Sequence, residues 1–194
     1  MIMKKVLFFM AVIISGMFFT GCGYNKMVTM DEAVTSSWSQ VENVYQRRAD
    51  LIPNLVETVK GYAQHEQETL TKVIEARSQA TSVKIDPANL TPETISQFQE
   101  AQQGISSALS RLMVVVEQYP DLKANQNFLD LQAQLEGTEN RITVERQKFN
   151  ETTQAYNAYI RRFPELITAK IFGFKKKPYF ESQPGAEKAP EVKF

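Results

Sequence analysis

One cysteine and one histidine are all the sequence offers of the residue types most used for disulfides and metal sites. A lone cysteine excludes an internal disulfide, and a lone histidine excludes the common multi-histidine metal centres. Charge of one sign is missing too: 22 Lys and Arg face 22 Asp and Glu. The electrostatic case for a phosphate-backbone partner is therefore absent, and nucleic acid is not expected. Breakers are scarce, with 8 Gly and 8 Pro in 194 residues. Gly61, Gly104, Gly137 and Gly173 stand too far apart to cradle a phosphate. What is left, between about 28 and 165, favours helices in a single domain of ordinary size.

The longest apolar run is at the front. Lys4 and Lys5 precede Val6 to Phe19, about the length of a signal-peptide core and short of the ~20 residues a membrane span prefers. The run closes in Phe19-Thr20-Gly21-Cys22. Small residues before a cysteine suit a lipoprotein signal peptidase, and only a thiol takes the diacylglycerol thioether. Cys22 is thus a candidate lipid-attachment residue, although Phe19 stands where leucine is commonest. The other reading is an uncleaved N-terminal anchor. Both place residues 1–21 in a membrane or signal role, 22–29 as a tether, and the body outside the cytoplasm, in the periplasm or at the cell surface. Because Gly23, not Asp, follows the cysteine, an outer-membrane location fits a host with two membranes.

Residues 30–172 read as an all-α, up-and-down antiparallel bundle of three to four long helices. A first stripe runs through Val34, Trp38, Val41, Tyr45, Arg48, Ile52, Leu55, Val59, Tyr62, Glu66 and Leu70 in steps of three and four. A second runs Ile95, Phe98, Gln102, Ile105, Leu109, Leu112, Val116 and Tyr119, started by Thr91-Pro92 and closed by Tyr119-Pro120. A third runs from Phe128 through Leu135, Ile142, Phe149, Tyr156 and Ile160 to Phe163. Val83 to Leu90 is the clearest loop. Pro53 falls inside the first stripe, where an interior proline costs about 3 kcal/mol. A turn near Asp50 to Pro53 would give four helices with no uncovered stripe and is preferred here. A kinked continuous helix would instead leave its first half without a cover, open to a second subunit in a homo-oligomer. Residues 173–194, with Lys175-Lys176-Lys177, Tyr179 and Phe180, read as a largely disordered basic and polar tail.

Several stretches resemble the LemA family. They are Gly23-Tyr24-Asn25, Arg47 to Val56, Tyr62-Ala63-Gln64-His65-Glu66, Ala76-Arg77, Glu117 to Asn125, Thr138-Glu139-Asn140-Arg141-Ile142, Arg146, Phe149-Asn150, Tyr156-Asn157 and Phe163-Pro164. The resemblance implies an exported or membrane-tethered helical bundle with no established biochemical activity. Many relatives look like single-span proteins anchored just before the Tyr-Asn pair, and here that anchor carries a cysteine.

Chemistry is thin. His65-Glu66 evokes a zinc-protease helix, but Thr69 takes the place of the second histidine. Cys22 has no histidine in a matching context. No catalytic residue, metal or cofactor is expected. Arg48, Glu66, Glu139, Asn140 and Arg146 form a candidate polar set with two open readings: an interhelical network that fixes the register of long helices, or the lining of a groove for a peptide or another envelope protein. The expected function is a non-enzymatic scaffold or partner-binding protein of the bacterial envelope. The alternative is a structural, lipid-associated bundle that organises the membrane surface through its anchor and basic tail.

Overall fold

The computed structural model describes the backbone of residues 2–181 and the side chains of residues 23–181. The side chain of Cys22, the signal or anchor side chains before it, and residues 182–194 lie outside the described part. Among the described residues the chain is all-α: α1 (Ile2–Lys60), α2 (Gln67–Ser82), α3 (Pro92–Val116), α4 (Pro120–Lys123), α5 (Gln126–Tyr159) and α6 (Glu165–Phe172), with a 3-10 turn at Pro87–Asn89. No helix among the residues with described side chains is long and apolar enough to cross a membrane.

The expected turn at Asp50 to Pro53 does not occur; α1 runs through Pro53 to Lys60. Proline removes the N–H that would have bonded the Ala49 carbonyl, and Arg77 of α2 fills the gap: its Nε donates to Ala49 O at 2.8 Å. The turn comes instead at 61–66, where Lys60-Gly61 ends the helix. Tyr62 and Glu66, read as members of the first stripe, lie in this turn, and Leu70 reaches the core from α2. From Val34 to Val59 every member of that stripe is buried.

The other boundaries follow local chemistry. Thr91 caps α3 in a reciprocal box with Thr94, Pro92 takes the first turn, and Asp86 caps the 3-10 turn. Asn125 caps α5 by accepting from Phe128 N. Gly173, at φ 78°, closes α6 in the left-handed conformation that glycine adopts without a Cβ clash.

α5 runs antiparallel to α1, bringing Phe149 to Trp38 and Glu139 to Arg48. α3 runs parallel to α1 and pairs with α2. The interior divides in two. One core gathers Trp38, Phe98, Phe149, Tyr156 and Phe180, and the other Ile52, Leu55, Leu70, Ile105, Leu112 and Leu135. Burying each such side chain contributes about 1.5–3 kcal/mol. α2 covers only the second core.

Residues 31–38 of α1 are covered by residues assigned from sequence to a largely disordered tail. Residues 174–181 form an extended strap across α5, with Phe180 buried and stacked on Trp38 at 5.6 Å. Two asparagines seven residues apart on α5 hold its backbone. Asn157 accepts from Lys177 N and donates to Lys177 O, both at 2.8 Å. Asn150 does the same for Phe180, at 2.9 and 3.0 Å. Tyr156 OH donates to Lys175 O at 3.1 Å, and Lys177 Nζ pairs with Asp31 at 3.0 Å.

Candidate functional site

Arg48 occupies the layer between the two cores. It is 2% exposed, yet its guanidinium is well supplied with acceptors. Nη1 donates to Ser106 Oγ at 3.0 Å and to Glu139 Oε2 at 2.9 Å. Nη2 donates to the backbone and side-chain oxygens of Gln102 at 3.0 and 2.8 Å. Its carbon Cζ lies 5.1 Å from the Tyr45 ring centroid. Only Nε–H has no hydrogen-bond partner.

Each partner arrives by helical spacing. Gln102 sits between Phe98 and Ile105 on the inward stripe of α3, and Glu139 follows the buried Thr138 on α5. A buried guanidinium with one carboxylate and three neutral acceptors binds three helices to one register, because a slide of any helix would strand the charge. Glu139 is 55% exposed, so its attraction is moderated by water.

The five candidate residues separate. Arg48, Glu139 and Arg146 line one open groove of about 500 Å³, together with Tyr45, Gln99 and Ser106. Arg146 leans on the strap: its Nη2 donates to Glu181 O at 3.0 Å, and its guanidinium lies 4.8 Å over the Phe180 ring. From the opposite wall Gln99 Nε2 donates to the same carbonyl at 3.1 Å. Burial raises the Tyr45 hydroxyl pKa above its usual value, against the opposing pull of Arg146 and Arg48.

Glu66 is elsewhere. It accepts from Tyr119 OH at 3.1 Å, locking the 61–66 turn to the end of α3, while Asn125 Nδ2 donates to Tyr62 OH at 2.9 Å. Burial and then the Glu66 carboxylate raise the Tyr119 pKa. Asn140 is exposed and stands outside both groups. His65 is exposed in the turn and is not on a helix, so the zinc-helix spacing has no structural counterpart. Among the described residues no three His, Cys, Asp or Glu side chains are placed to hold a metal ion.

Gln102 stood on the second stripe as a polar residue at an apolar position, the same signal that singled out Arg48. Asn150 and Asn157 carried a weaker one, a repeat of two helical turns.

Known proteins share this body. Magnetosome protein MamQ of Magnetospirillum gryphiswaldense is 29% identical over 84% of this chain and 66% of its own length. Magnetosome protein MamQ 2 of Paramagnetospirillum magneticum matches to the same extent. Protein LemA of Metamycoplasma hominis is 24% identical over 72% of this chain and 60% of its own. The chain thus spans slightly less than two thirds of these curated relatives. The sequence profile of the LemA family matches residues 37–194, from the first helix of the body through the strap, and the chain belongs to the LemA family.

Proposed function

We propose that this protein is a membrane-tethered, non-enzymatic interaction protein of the bacterial envelope, and that the groove between α3 and α5 takes an extended segment of a partner protein. The observation that supports it most is the double grip on Glu181 O by Gln99 and Arg146, one from each wall. A rim that already holds one extended backbone by its carbonyl is suited to continue a second. The floor offers charge of both signs, Arg48 and Arg146 against Glu100 and Glu139. Such a lining suits a mixed polar peptide better than a small anion.

Arg48 lies 24 residues beyond Tyr24 on one helix, roughly 36 Å at 1.5 Å per residue. The groove would meet partner segments held at that distance from the tether. The architectural reading of Arg48 is compatible with this role, because its bonds to Gln102, Ser106 and Glu139 hold the two groove walls in one register.

A photo-crosslinking residue at Gln99 in the full chain, expressed in its own cells, tests the reading. One discrete adduct is expected, lost when Ser96→Trp fills the groove and absent from the same probe at Val144, on the far side of α5. Equal labelling from both positions would remove the groove from the account.

A further inference from the structure

We propose that α6 and the residue before its turn form a membrane-interface face, which lays the end of the bundle onto an anionic bilayer beside the tether. The inference rests on the reading that the N-terminus holds the chain to a membrane.

The exposed large apolar side chains are unevenly distributed. Phe163 is 82% exposed, Ile171 72%, Phe172 57% and Ile167 53%, with Leu166 on the same helix, Tyr24 against Phe172, and Val28 one turn after Tyr24 on α1. The others among the described residues, Tyr62, Ile74, Val114, Leu129 and Val144, are scattered singly along the body. Single exposed apolar residues need no explanation, but a contiguous patch on one helix does.

α6 is amphipathic in an inverted sense. Its small residues Thr168 and Ala169 are buried against the bundle, while Leu166, Ile167 and Ile171 point away from it. No covering element of this chain is found over that outer side among the described residues. The left-handed Gly173 then turns the chain into the strap, which fixes α6 in place.

The tether identifies the occupant. Tyr24 meets Phe172 at 4.7 Å and Phe174 at 5.8 Å between ring centroids, so the patch is built onto the first turn of α1 whose side chains are described. Phe19, the end of the apolar run, is five residues upstream of Tyr24, roughly 7 Å of helix. Cys22 is two residues upstream. Whether an apolar helix or acyl chains hold the chain, hydrocarbon begins within about one and a half helical turns of this face. Exposed Arg162, Lys175 and Lys176 flank α6 in sequence, Lys170 stands on its outer side between Leu166 and Ile167, and Glu165 is the acid within α6. Aromatic and aliphatic side chains framed by cations match the headgroup boundary of an anionic leaflet. Lys177, by contrast, is engaged with Asp31 and belongs to the strap.

Tryptophan depth quenching on the full chain tests the proposal. Ile171→Trp and Ile74→Trp are reconstituted in phosphatidylcholine vesicles containing a minor fraction of phosphatidylglycerol, with and without brominated acyl chains. Trp38 is fully buried and common to both. The added tryptophan at 171 is expected to shift to the blue, lose emission to the brominated lipid and resist iodide. That at 74 should be quenched by iodide alone. A chain that floats with the vesicles while tryptophan 171 stays open to iodide overturns the face and leaves the tether standing. Shielding from iodide without loss to brominated lipid assigns the patch to a second copy and overturns the lipid. Failure to float overturns the tether and this inference together.

Discussion

Arg77 donates through Nε to the carbonyl oxygen of Ala49 at 2.8 Å, the acceptor that Pro53, four residues on, leaves without its helical donor. One side chain on α2 thereby repairs a break on α1 and ties the two helices together. The cost of an interior proline is offset by a tertiary bond.

This pairing predicts a coupling. Arg77→Met should destabilise the protein by about 1–2 kcal/mol, the worth of a charge-assisted bond to a shielded carbonyl. In a Pro53→Ala background the helix supplies its own N–H, and the same change should cost distinctly less. Urea unfolding of the four chains measures it; equal costs in both backgrounds would sever the link between Arg77 and Pro53.

The Arg48 layer predicts an order of sensitivities. Gln102→Leu removes a buried acceptor 2.8 Å from the guanidinium and should cost about 2–3 kcal/mol. Glu139→Gln keeps an oxygen at a half-exposed position and should cost under about 1 kcal/mol. Chemical denaturation ranks them, and the reverse order would mean that the ion pair outweighs the amide.

Removing one clamp should free the strap. Asn157→Leu strands the N–H and C=O of Lys177, a loss of about 1–3 kcal/mol. Trypsin should then cut faster after Lys175 and Lys176, and Trp38 emission should move to the red as Phe180 leaves it. Adding Asn150→Leu should cost less than it does alone, because both asparagines hold one segment. Strict additivity would argue that the clamps act separately.

Alkaline pH should loosen the same half. Burial, and then the Asp31 carboxylate, push the Tyr156 hydroxyl far above its ordinary pKa, and burial raises Tyr45 as well. For an acid whose folded pKa is raised, the stabilisation is complete below the unfolded value near 10 and declines as pH climbs past it. The urea midpoint should therefore be flat from pH 8 to about 9.5 and fall beyond 10, with a shallower fall in Tyr156→Phe. An unchanged slope in that variant would assign the effect to other groups.

Helical periodicity carried most of the architecture. The buried stripe from Val34 to Val59, the Thr91-Pro92 start and the loop from Val83 to Leu90 were all legible, because each rests on local chemistry. Pro53 misled because its remedy, Arg77, is 24 residues away, and a local rule cannot register a distant donor. The missing cover over the early part of the first stripe was a correctly posed problem, and the turn at Asp50 to Pro53 was the wrong solution. Its cover is Phe180 and its neighbours, in a segment whose lysines, proline and lack of period resemble a loose end. What orders it is the amide pairs from Asn150 and Asn157, and two asparagines on a helix announce nothing until the backbone they bind is in place. At the site, Arg48, Glu139 and Arg146 stood in one candidate set with no pairing assigned, and Asn140, counted in the same set, stands outside the groove.

The strap is also the last described element to be made. About 140 residues separate Trp38 from Phe180, on the order of ten seconds of synthesis at 5–20 residues per second. Throughout that interval Trp38 has no Phe180 to lie against. A nascent chain halted short of the strap would carry an aromatic opening on α1, a recognisable mark of unfinished work for any folding helper or protease that meets it.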